Sequence, residues 1–95
     1  LVTRVPAPAA AIGGRSRAGR NLFVVPWQGR AVFGTWESST LCAPGDTGVR
    51  QTDIDAFLAD LNDAFPTRPP RREDITLVHQ GVVPARIIRG RPTLD

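Results

Sequence analysis

Lysine, tyrosine and methionine are absent from this chain, and cysteine and histidine occur once each. Each gap closes off a class of protein. With Cys42 alone no internal disulfide can form, and no Cys or His stands beside it at metal-ligand spacing, so a structural zinc site is excluded. A lone thiol fits a reducing cytosol. A single histidine, His79, gives no basis for arguing a Ser/His/Asp triad. Aromatic residues make up only 6% of the chain and are not interleaved with its basic residues, which argues against a nucleic-acid surface. No apolar run approaches the ~18 residues that a membrane span needs, and the first residues lack the apolar core of a signal peptide. The segment is therefore expected to be soluble. Without methionine, and with Leu1 already inside a strand-like pattern, it reads as a piece of a longer polypeptide.

What is present is arginine, proline and glycine. All 12 basic residues are Arg, which reads as the mark of a GC-rich coding sequence rather than of function, and the net charge is only +3. Nine Pro and nine Gly among 95 residues leave much of the chain as loop and the core thin. A chain of this kind is expected to fold marginally alone and to lean on the rest of its polypeptide or on another copy.

The patterning predicts an α+β fold in ββαβ order: a hairpin over residues 21–36, a long loop, one amphipathic helix over 52–65 packed on the sheet, a strand over 75–80, and a return segment over 81–95. Two apolar runs, Leu22 to Val25 and Ala31 to Phe33, flank Pro26-Trp27-Gln28-Gly29-Arg30, a short Gly-containing loop. Leu1 to Val5 reads as a short strand stopped by a linker from Pro6 to Ala10. Ile12 to Arg20, rich in Gly and Arg, reads as an exposed, mobile loop. Its Gly13-Gly14 and Gly19 do not make a dinucleotide loop, since the GxGxxG spacing and the flanking strand and helix are missing. Asp46 and Thr47 suit a turn in the connection before the helix. Thr52 is the expected N-cap, with Asp55 completing a capping-box-like pair. Ile54, Phe57, Leu58, Leu61 and Phe65 form one apolar stripe, and Pro66 ends the helix. Residues 67–73 read as an exposed turn. Ile75 to Val78 opens the next strand, and Val82 to Ile88 is only weakly strand-like.

Three blocks, in order, resemble the FAD-dependent glycerol-3-phosphate dehydrogenases, members of the D-amino-acid-oxidase-like flavoenzymes. The first is LFVVPWQGRAVFGT, Leu22 to Thr35. The second is the helix with its Thr, acidic pair and apolar stripe ending in Phe65-Pro66, followed by Arg72-Glu73-Asp74-Ile75. The third is Gly81-Val82-Val83-Pro84, where the family carries a GVRP-like motif. Together they span roughly residues 1–84.

The resemblance implies that this segment is a distal part of the substrate domain of a larger flavoenzyme. The parent would oxidise a secondary alcohol such as a polyol phosphate and pass hydride to the flavin. Electrons would leave to a quinone, in the cytoplasm or at the inner face of the membrane. FAD would be held by the remainder of the chain and none by this segment, which would be inactive alone. The arginine of the family motif, which contacts the anionic group of the substrate, is Val83 here. Arg86 or Arg89 would then be the residues to supply that charge, against the ordinary reading of both as surface arginines. Trp36-Glu37 also departs from the Thr-Asp pair that often follows the GT in the family. His79, beside the third block, is read as a strand-end residue and is not assigned as a base. No nucleic acid is expected as a partner, and self-association through an exposed sheet edge is an open possibility. The alternative is a non-enzymatic module that touches RNA or an acidic partner through Trp27 and Arg30, flanked by Arg15, Arg17 and Arg20.

Overall fold

The computed structural model describes residues 1–38, 41–45, 48–67 and 69–94. Among them the elements run β1 (Val2–Pro6), β2 (Ile12–Arg15), β3 (Asn21–Trp27), β4 (Arg30–Gly34), α1 (Gln51–Ala64), a 3-10 turn (Arg72–Asp74), β5 (Ile75–Leu77), β6 (Ala85–Ile88) and β7 (Arg91–Leu94). The fold is α+β. The expected ββαβ run is present as β3-β4-α1-β5, with two further strands ahead of it and a hairpin behind. Five strands form one antiparallel sheet in the order β2-β3-β4-β1-β5, and β6-β7 stand apart as a two-stranded ribbon.

The hairpin is tighter than its sequence suggests. Trp27 pairs with Arg30 and Pro26 with Ala31, so the loop is only Gln28-Gly29. Both residues have positive φ, 50° and 77°, as a two-residue turn matched to strand twist requires. Pro26 lies inside β3, but β2 pairs no further than Val24, so the proline falls where the strand has no neighbour on that side.

The expected mobile loop at 12–20 is a strand and an ordered turn. Gly13 pairs with Phe23 and Gly14 with Leu22. A Cβ on Gly14 would sit 2.8 Å from the carbonyl oxygen of Ala64 and 2.9 Å from the Phe65 ring. Glycine here lets the edge strand run hard against the end of the helix, and the Phe23 ring covers Gly13. The turn back is closed by the Gly19 N–H to the Ser16 carbonyl at 2.9 Å.

Helix α1 starts one residue earlier than expected, and its N-cap is Arg50, with no side-chain cap bond. Thr52 already lies in the first turn. Asp55 does not complete a capping box; its carboxylate meets the Arg72 guanidinium. Asp53 remains in the first turn, where the helix dipole favours a negative charge. The C-terminal end matches the pattern: the Phe65 N–H bonds to the Leu61 carbonyl at 2.8 Å, just before Pro66.

One face of the sheet packs on the helix stripe. Leu22 and Leu61 are fully buried, joined by Leu1, Val24, Ala31, Phe33 and Leu58. Phe33 and Phe65 meet edge to face at 6.0 Å. Thr3 is buried among these side chains because its hydroxyl donates to the Ala31 carbonyl at 2.8 Å. The stretch expected as a plain exposed turn contains Pro70, which is fully buried. β5 stops at Leu77, short of the expected strand end at residue 80. Asp46 and Thr47, read as turn residues, lie outside the described residues. No helix among the described residues is long and apolar enough to cross a membrane.

Candidate functional site

Strand β3 is apolar on both faces. Leu22 and Val24 point to the helix. Phe23, Val25 and Trp27 point the other way, and Val32 of β4, paired with Val25, joins them. A strand that is apolar all along its length is built to be covered on both sides. Here the helix covers one side only. Phe23 is 52%, Val25 36% and Trp27 49% exposed on the other.

A small cleft opens on this uncovered face, and a larger one reaches from it to Phe33 of the core and to Ile54 and Phe57 of α1. The smaller, about 250 Å³, is walled by Val2, Val25, Pro26, Trp27, Val32 and His79. The larger, about 1500 Å³, runs from Phe23 and Val32 past His79 to Val83, with Glu37, Asp53 and Cys42 also on its wall. β1 brings Val2 to this face because Val2 is paired with both Val32 and Leu77. His79 lies two residues beyond the end of β5, and the segment from Gln80 to Pro84 lines the larger cleft. His79 therefore borders both clefts.

The residues singled out in the sequence separate here. Val83 is 57% exposed and lines the larger cleft. Arg86 lies on β6, and Arg89 lies in the β6–β7 turn with φ 52° beside Gly90. Neither is among the residues that line the two clefts. The β6–β7 hairpin was signalled only by Arg89-Gly90, a Gly-bearing pair between two short apolar stretches. Cys42 is exposed, and among the described residues no three His, Cys, Asp or Glu side chains converge as a metal ion would need.

Trp36, which departs from the family pattern, acts as a clamp beside the site. Its ring stacks on Phe57 at 5.6 Å and lies under the Arg20 guanidinium at 4.9 Å. Its indole N–H donates to Asp60 at 2.9 Å, and Arg20 reaches the same carboxylate at 3.3 Å. Arg20 also donates to the Glu37 carbonyl at 2.9 Å. The exit of β4 is thereby fixed to the helix, which holds Glu37 at the rim of the larger cleft. Sequence reasoning had no signal for this, because Trp36 and Asp60 are 24 residues apart.

The same helix face pairs with two of the flanking arginines that a binding module would use. Arg20 is held by Asp60, and Arg17 by Asp63 at 3.1 Å. The backbone nitrogen of Leu1 donates to the Phe33 carbonyl at 2.7 Å, which ties the start of β1 to β4. No protein-family model matches the chain, nor does any curated protein or any solved structure.

Proposed function

We propose that this chain is the substrate-domain wall of an FAD-dependent oxidoreductase of the glycerol-3-phosphate dehydrogenase type. Its uncovered apolar face would close over the reacting centre. The observation that carries the reading is the sheet with a helix on one side and Phe23, Val25 and Trp27 bare on the other. An aromatic and aliphatic wall of this kind would keep water from a reacting centre once covered, and His79 and the segment to Pro84 line the cleft beside it. The three sequence blocks that resemble the family border this face: the hairpin supplies the wall, Gly81 to Pro84 the rim, and the helix the support behind.

The residues present do not suit the diphosphate of FAD. Gly13 and Gly14 lead through a tight turn into an antiparallel strand, not into a helix N-terminus. The flavin, which takes up the hydride of the substrate, would be held by the rest of the polypeptide. This chain would orient the substrate and keep its surroundings dry. The parent would work in the cytoplasm or against the inner face of the membrane, with a quinone as acceptor. The RNA-binding alternative is the weaker reading, because Arg17 and Arg20 already pair with carboxylates on α1.

The test is the absorption spectrum of the whole polypeptide that contains this segment, purified without added cofactor. Flavin bands are expected in the whole protein and not in the 95-residue chain. A whole protein free of flavin would overturn the proposal.

A further inference from the structure

We infer that the cleft takes a neutral, largely apolar alcohol and excludes phosphate esters, an inference that rests on the flavoenzyme reading above and names the substrate class of the same site. Among the described residues no arginine side chain lines either cleft, although the chain has 12. Arg17, Arg20 and Arg72 are engaged by Asp63, Asp60 and Asp55. Arg30 faces Trp27 across the hairpin but stands outside the cleft walls.

The charged side chains that do line the larger cleft are Glu37, whose carboxylate is paired with Arg20 at 3.6 Å, and Asp53 in the first turn of α1. A phosphate ester would have to shed its water against valine and tryptophan, with no guanidinium on the wall to donate hydrogen bonds in place of that water. Desolvation therefore opposes it. A neutral alcohol escapes most of that penalty. Its carbon body covers Val25, Trp27 and Val32, and His79 is the polar side chain that the smaller cleft offers its hydroxyl. Val83, exposed on the wall, presents an aliphatic surface that extends the apolar strip.

The experiment uses the whole flavoprotein with three probes: 1-phenylethanol, glycerol 3-phosphate and inorganic phosphate. Binding is read by calorimetric titration and by the shift of the flavin absorption bands. The expected result is a response to 1-phenylethanol and about a hundredfold weaker response, or none, to either phosphate. The V83R protein is expected to gain binding of both phosphates and to lose affinity for 1-phenylethanol; the side chain is exposed, so the exchange does not disturb the core. Binding of glycerol 3-phosphate to the unaltered protein as tight as that of 1-phenylethanol would overturn the inference and leave the flavoenzyme reading standing. Silence toward 1-phenylethanol would also overturn it. A protein without flavin would instead remove the reading on which it rests.

Discussion

Gly14 stands where strand and helix come closest, with the Ala64 carbonyl and the Phe65 ring under 3 Å from the place a Cβ would take. Neither neighbour can give way, one being backbone and the other a packed ring. G14A is expected to lower stability by about 1–3 kcal/mol. G81A, at a glycine with nothing within 4 Å, is expected to leave it nearly unchanged. Urea unfolding of the two variants checks this, and equal midpoints would contradict the close approach. Trp36 makes the same point with a large residue. From the sequence it was only a departure from a family pattern. In the fold it is the plate between Arg20 and Phe57, with its N–H on Asp60. Its role is set by partners far along the chain, to which local spacing is blind.

Helix α1 was the most legible element, because a 3.6-residue period shows in any window that contains it. Its apolar stripe and its stop at Pro66 hold in the structure. Its start does not, because Thr52 resembles a cap and yet Arg50 occupies the cap position. The backbone N–H groups of Asp53 and Ile54 share the Arg50 carbonyl, at 3.0 and 3.2 Å, and no side chain at the cap position accepts from the first turn. R50D is therefore expected to stabilise the chain by about 0.5–2 kcal/mol by adding the missing acceptor. T52A is expected to change little. Thermal melts followed by circular dichroism distinguish these outcomes, and a larger loss from T52A than gain from R50D would restore Thr52 as the cap. Strand β2 shows the opposite case. Two consecutive glycines argue against a strand on propensity, but Phe23 and the end of α1 demand them.

Across the whole molecule, apolar surface is covered on one side and left open on the other. The radius of gyration is 13.8 Å, against about 12.4 Å for a compact chain of this length. The β6–β7 ribbon, exposed at every residue, is part of the reason. The edges of the main sheet, β2 and β5, are short, which limits how far copies can pair through them. The 95-residue chain by itself is expected to bind a hydrophobic dye such as ANS through Phe23, Val25 and Trp27. The F23S/W27S protein is expected to lose most of that signal, and the whole polypeptide to show little of it. Equal dye binding by the whole polypeptide would mean that this face is not covered there.

The α+β class, the hairpin, the apolar stripe of the helix and the end of the helix at Pro66 were determined by the sequence alone. Alternation and periodicity are properties of neighbouring residues, and they survive without knowledge of what packs where. Tertiary structure decided the rest. It placed β1 between β4 and β5, made a strand of Gly13-Gly14, buried Pro70, turned Trp36 into a clamp, and set Arg86 and Arg89 away from the cleft that Val83 lines. Each of these depends on a contact between segments distant in the chain, where burial, steric fit and pairing of charge outweigh local preference.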